Sequence, residues 1–144
     1  AWMDDYIREN GVPVKPGLRE LLAWLKQAHI LCAVATSTFT NVAIGYLKNA
    51  GVLNCFAAIV GGDQVTKSKP DPEIFQLAMR ALGKQTPETC VVFEDSRNGL
   101  LAGANGGFPV IVVPDLFDPT LELPGLCYAK CARLDEAIDV IQNS

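Results

Sequence analysis

Apolar positions along the chain switch between two periods. Leu18, Leu21, Leu22 and Leu25 recur at helical spacing behind Pro16, a residue suited to the first turn of a helix because no N–H is needed there. Ile30 to Ala35 is an unbroken apolar run of strand length, hydrophobic on both faces, as a parallel strand covered by helices requires. The alternation then repeats. Residues 41–50 read as a helix stopped by Gly51, and residues 56–60 as a strand running into Gly61-Gly62. Asp71-Pro72-Glu73 starts a helix that continues through Leu82, with Asp71 as N-cap and Pro72 at the first helical position. Residues 90–93 form a strand, 96–105 a helix, 110–113 a strand and about 134–141 a closing helix. Pro114 to Tyr128 is the one long irregular stretch. At the other end, residues 1–9 read as a helix stopped by Asn10-Gly11, followed by an extended linker over 12–15.

Strands alternating with helices imply βαβ units and a mainly parallel sheet, hence an α/β fold of the three-layer, Rossmann-like sandwich type. With 144 residues the chain has the size of one domain with a real core. Its net charge of −4 and scattered basic residues argue against a nucleic-acid partner, which needs clustered Lys and Arg. No apolar run approaches the ~18 residues needed to cross a bilayer, so no membrane partner is expected. The five cysteines include no C-x-x-C spacing and are odd in number. Buried thiols in a reducing, cytoplasmic compartment fit them better than a disulfide framework or a zinc site. His29 has no partner motif and reads as structural.

Candidate chemistry lies where strands run out, because open α/β sheets bind ligands beyond the carboxyl ends of their strands. Thr36-Ser37-Thr38 follows one strand, a loop reaching Lys67-Ser68-Lys69-Pro70 follows the next, and Glu94-Asp95 ends a third. Hydroxyl and ammonium donors suit phosphate oxygens, and hard carboxylates suit Mg²⁺, which commonly takes substrate phosphate as a further ligand. Plainer readings exist for each. A carboxylate at a helix start caps free N–H groups, which accounts for one acid of the pair but not both. Two like charges so close repel unless a cation lies between them. Thr36 and Ser37 serve equally well as caps of the next helix, and Lys69 as a solvated loop lysine. Asp63 and Asp71 read as turn and cap residues. The Gly-rich stretch 102–107 ends a helix instead of joining strand to helix, so it is no dinucleotide loop.

With these residues in order, the chain resembles the haloacid dehalogenase superfamily, in its phosphatase and β-phosphoglucomutase-like branch. Ala33-Val34-Ala35-Thr36-Ser37 is similar to the family's second motif, whose Ser or Thr binds the transferring phosphoryl group. Ser68-Lys69-Pro70-Asp71-Pro72-Glu73-Ile74-Phe75 is similar to the third, whose Lys neutralises phosphate and nucleophile. Phe93-Glu94-Asp95-Ser96 with Gly99 is similar to the fourth, the acidic pair of the Mg²⁺ site. The resemblance spans roughly residues 14–113, and the third and fourth motifs together carry most of it.

The family's first motif, a D-x-D ending the central strand, has no counterpart; Asp4-Asp5 lacks both the spacing and the apolar strand before it. The family's cap domain is reduced to residues 1–14, a last helix and linker, ahead of an incomplete core domain over 15–144. The expected sheet therefore lacks its first, central strand, between the strands ending at Ala35 and Phe93. A separate N-terminal segment or another chain is expected to pair there, or the sheet to rearrange. The resemblance implies a Mg²⁺-dependent phosphatase of a small phosphorylated metabolite, working through an aspartyl-phosphate whose nucleophile lies outside this chain. Thr36, Ser37 and Lys69 would bind the phosphoryl group, with Thr36 and Lys69 catalytic, and Glu94 and Asp95 would hold the metal. A sugar-phosphate mutase and a non-catalytic relative are the alternatives. Dehalogenation suits the acidic pair less well, and a signalling receiver domain would place its Lys after the acids.

Overall fold

The computed structural model describes residues 15–115 and 117–144. The helix expected over 1–9, the linker up to residue 14 and the domain boundary drawn there lie outside the described residues.

The leucine stripe makes α1 (Leu18–Gln27) and buries Leu18, Leu21, Leu22 and Leu25. The helix starts two residues later than Pro16 suggests. Gly17 turns the chain in the left-handed region at φ 87°, where a side chain would also meet Asp135. The strand expected over 30–35 shortens to β1 (Ala33–Ala35), and Ile30 and Leu31 are 41% and 58% exposed. Residues 28–32 are used to leave the helix: Ile30 N–H bonds back to Leu25 C=O, and His29 takes a positive φ of 58°.

α2 (Thr40–Asn49) follows, and the chain leaves it through Gly51 at φ 74°. β2 is Ala58–Val60, α3 Glu73–Ala81, β3 Val92–Glu94, α4 Arg97–Asn105, β4 Val110–Val112, β5 Ala129–Lys130 and α5 Ala137–Gln142. Each observed helix lies close to its expected span. Pro72, not Asp71, takes the N-cap position of α3, and Asp71 Oδ1 accepts from Glu73 N–H at 3.0 Å. The short β5 falls just after the segment read as irregular. Leu134–Glu136 forms a 3₁₀ turn before α5.

All strand pairs are parallel, with Ala33, Val34 and Ala35 opposite Ala58, Ile59 and Val60. Val92, Phe93 and Glu94 lie opposite Val110, Ile111 and Val112, and β5 adds to β4. The strands form two hydrogen-bonded sheets, β1-β2 and β3-β4-β5. Among the described residues, no ladder joins β1 to β3.

Alternation along each strand nevertheless builds two continuous cores. Val34, Ile111 and Val113 pack with α1, Leu47 of α2 and Leu134 on one face. Ala35, Val60, Val92, Val110 and Val112 pack with α3 and α4 on the other. Both sheets contribute to both faces, so they occupy one layer between two layers of helices, the α/β arrangement that the residue pattern implies. Among the described residues, no helix is long and apolar enough to cross a membrane.

Candidate active site

Strands run in parallel within each sheet, and the polar residues that follow β1, β2 and β3 lie at the carboxyl ends of their strands. Glu94, the last residue of β3, is 1% exposed, and Asp95 beside it is 7% exposed. Burying charge at this depth demands partners. Lys69 Nζ supplies one, 3.0 Å from Glu94 Oε2, with its own side chain 10% exposed. Ser96 Oγ donates to Glu94 Oε1 at 3.1 Å, and Asp95 N–H approaches the same oxygen at 3.3 Å.

Burial alone would push the Glu94 carboxyl up. The Lys69 ammonium and the bonds from Lys69 and Ser96 act the other way, and the group lies below the usual carboxylate range. The Lys69 ammonium 3.0 Å away favours the charged form of Glu94.

The plain explanation for the acidic pair does not hold. Ser96 is the N-cap of α4, its Oγ accepting from Gly99 N–H at 3.0 Å, so neither acid is needed for that task. Gly99 has a separate reason to be glycine: a Cβ there would run into the Glu94 carboxyl. The first turn of α4 can press against the buried acid only without a side chain at that position.

Lys69 sits in the loop between β2 and α3, its ammonium 5.4 Å from the centre of the Phe75 ring. The Lys69–Pro70 peptide is cis. Lys67, by contrast, is exposed. The structure thus brings Lys69 and Glu94 into direct contact and places Asp95 next to them.

Thr36 and Ser37 follow β1, which lies in the other sheet. Thr36 is 1% exposed, its N–H bonds to Val60 C=O, and its Oγ1 accepts from Thr38 N–H at 3.1 Å. Ser37 is exposed. Among the bonds described, neither hydroxyl caps α2. That cap comes from Asp63, whose Oδ1 accepts from Thr40 N–H at 2.7 Å and from the Thr40 hydroxyl at 2.8 Å. Gly62 N–H also bonds to Thr38 C=O, and a Cβ on Gly61 would meet Thr40. The two loops are therefore locked together.

Asp63, read as a turn residue, is a cross-link between loops. Glu73 and Asn105 are further residues whose roles had no separate signal. Glu73 accepts from the backbone of Thr66 and Lys67, and Asn105 donates to Pro70 C=O. Among the described residues, no group of three or more His, Cys, Asp and Glu gathers as a metal centre; the acidic pair supplies two carboxylates.

A family profile described as haloacid dehalogenase-like hydrolase matches residues 3–107. The chain is 42% identical over 103 residues to a phosphorylated carbohydrates phosphatase of Thermotoga maritima, covering 72% of this chain and 45% of the relative. It is 40% identical over 102 residues to a bifunctional riboflavin kinase/FMN phosphatase of Arabidopsis thaliana, covering 70% of this chain and 27% of the relative. In three dimensions it is similar to CbbY of Rhodobacter sphaeroides solved with phosphate, with a TM-score of 0.76 and 33% identity. That match covers 85% of this chain and 55% of CbbY. The chain spans about half or less of the length of these curated relatives. The motifs, the fold and the sequence match agree: this chain belongs to the haloacid dehalogenase-like hydrolases, among relatives of the phosphatase and β-phosphoglucomutase-like kind.

Proposed function

We propose that the chain is the phosphoryl-binding and metal-binding part of a phosphatase that acts on a small phosphorylated metabolite. One observation carries the reading: a partly buried lysine and a buried carboxylate in contact at a strand end, with a second buried acid beside them. Such a group is costly for a fold that needs only stability, since a well-packed apolar pair would serve as well. It suits a site that must hold both an anion and a cation.

In this reading Lys69, the Thr36 hydroxyl and the Ser37 backbone stabilise charge on the phosphoryl oxygens, the main task in phosphoryl transfer. Glu94 and Asp95 would hold Mg²⁺, and two hard carboxylates on adjacent residues match its preference for one or two acids plus substrate phosphate. When bound, the ion would neutralise phosphate charge. The nucleophile would be an aspartate from the part of the relatives' length that this chain does not span; its carboxylate would form a bond to phosphorus as the bond to the metabolite's alcohol oxygen breaks, and water would then release phosphate and regenerate the aspartate. The division of the strands into two sheets supports pairing with such a segment, or with another chain, between β1 and β3.

The substrate class follows the relatives. The one from Thermotoga maritima is a phosphatase of phosphorylated carbohydrates, and a CbbY variant has been solved with xylulose-1,5-bisphosphate. A sugar-phosphate mutase is the second reading, favoured by the likeness, at 35% identity, to a Thermotoga maritima structure assigned as a β-phosphoglucomutase. A panel of sugar phosphates, assayed with Mg²⁺ and with EDTA, tests both. The chain alone should show no turnover. Joined to an N-terminal segment that carries a D-x-D strand, it should release phosphate only with Mg²⁺. Turnover that persists in Asp95→Asn or Lys69→Ala would sink the site assignment, and isomerised sugar phosphate without phosphate release would favour the mutase.

A further inference from the structure

Lys69 lies on an irregular loop, and a lysine side chain in a loop must lose much conformational freedom to point in one direction. We propose that Glu73 and Asn105 are positioning residues that clamp this loop from two helices and so aim the Lys69 ammonium. The functional meaning rests on the reading of Lys69 as a phosphate-binding group; the clamp itself is a matter of geometry.

The upstream anchor is Glu73, in the first turn of α3. Its Oε2 accepts from Thr66 N–H at 2.9 Å, and its Oε1 accepts from Lys67 N–H at 2.8 Å and from Thr66 N–H at 3.1 Å. Bonds from backbone N–H to a carboxylate are among the stronger hydrogen bonds. The Thr66 bond first, then the Lys67 bond, keeps the Glu73 carboxyl below its ordinary range. Glu73 is itself placed by Asp71, whose Oδ1 receives its N–H.

The downstream anchor is Asn105, the last residue of α4. Its Nδ2 donates to Pro70 C=O at 3.2 Å, across 35 positions of sequence. Lys69 stands between the two anchors. Its side chain crosses the Phe75 ring to reach Glu94, and Phe75 is fixed by edge-on packing against Phe108, with centroids 6.2 Å apart.

The ordinary roles for these residues are different. An acid in the first helical turn favours the positive end of the helix dipole, and an Asn at a helix end is a common surface residue. Neither role requires oxygens or amide nitrogens to reach a distant loop backbone. Here both side chains do so, on opposite sides of one lysine.

The test uses the intact chain and an amine-acetylating N-hydroxysuccinimide ester, with each lysine followed by mass spectrometry. In the unmodified protein Lys69 should react more slowly than exposed Lys67 and Lys26. Glu73→Ala and Asn105→Ala should each speed Lys69 acetylation by roughly tenfold relative to Lys26, the scale expected for losing a loop-holding hydrogen bond. Glu73→Gln keeps a carbonyl acceptor at this position and should restore most of the protection.

An unchanged Lys69 rate in both alanine variants would overturn the proposal, as would a rise shared by every lysine. Should either variant fail to fold, amide exchange in the unmodified chain decides: protected Thr66 and Lys67 amides support the clamp, and exchange at open-loop rates refutes it. Failure of the phosphatase reading looks different: Lys69→Ala would then leave turnover intact in the protein joined to a D-x-D segment, while Lys69 of the native chain would still be protected.

Discussion

Asp63 and Thr40 are joined twice, by the backbone N–H and by the hydroxyl of Thr40, both donating to Asp63 Oδ1. This pair ties the loop after β2 to the start of α2 and so fixes the chain that carries Thr36 and Ser37. The bond from the Thr40 backbone is the largest cause holding the Asp63 carboxyl below its ordinary value, followed by that from the hydroxyl. A depressed carboxylate adds stability that is complete above its unfolded-state pKa and is lost as pH falls through its folded-state value. Urea unfolding from about pH 6 to about pH 3 should therefore show a steeper loss of stability in the native chain than in Asp63→Asn. Parallel curves for the two proteins would contradict the assignment.

Lys69→Ala should be strongly destabilising. It leaves Glu94, 1% exposed, without the ammonium 3.0 Å away. Removing one member of a buried pair costs about 3 kcal/mol or more. The surface pair Arg97–Glu122, at 3.2 Å with both side chains about half exposed, provides the control. Arg97→Ala should change stability by less than about 1 kcal/mol. Denaturant midpoints of the two variants, compared with the native chain, measure the contrast.

Gly99→Ala places a methyl group where the Glu94 carboxyl stands. Alanine is the better helix former, so propensity alone favours the substitution. Overpacking a buried position costs about 1–3 kcal/mol and should win. We expect a lower melting temperature together with weaker Mg²⁺ binding by calorimetry, because the acid itself must move.

Ser96→Ala removes the N-cap of α4 and one of the donors to Glu94. The loss should be about 1–2 kcal/mol, typical of a helix cap. Ser96→Asp, which keeps an acceptor for Gly99 N–H but sets a second carboxylate against Glu94, should not rescue it. Equal stability of the Asp variant and the native chain would show that the contact with Glu94 is unimportant.

Cys32 and Cys55 should differ in reactivity. Burial first, and the neighbouring Cys55 second, raise the Cys32 thiol to about 11, and its Sγ lies 3.2 Å from Cys55 C=O. Cys55 is exposed. A thiol reagent at neutral pH should label Cys55 well before Cys32. Since the raised thiol favours the protonated form in the fold, its contribution to stability is present below about 9 and lost as pH rises towards 11.

Much of this was legible in the sequence. The leucine stripe of α1, the glycine stop after α2 and the Ser96 to Asn105 helix all follow from spacing and caps. Lys69, Glu94 and Asp95 stand out because charged residues interrupt apolar runs at strand ends. Two kinds of feature were not legible. Strand bounds were too generous, because residues such as Ile30 and Leu31 are apolar yet serve in a turn, and period-two patterning cannot tell a strand from its approach. Cross-links between distant loops were also hidden. Asp63 after two glycines looks like any turn residue until the fold sets Thr40 beside it, and Asn105 carries no local sign that it reaches Pro70.

The division of the strands into two sheets has a mechanical consequence. Thr36 and Ser37 follow a strand of one sheet, Glu94 and Asp95 stand at the end of a strand of the other, and no ladder spans the seam among the described residues. A strand ladder resists sliding through many aligned bonds, whereas packed side chains yield more readily. Polar contacts that cross this seam include the Lys69 ammonium on Glu94, which acts as a rivet between two plates, and the Asn105 amide on Pro70 C=O. Among the described residues, the spacing of hydroxyls and acids is thus set by packed side chains and loop bonds, and not by a ladder.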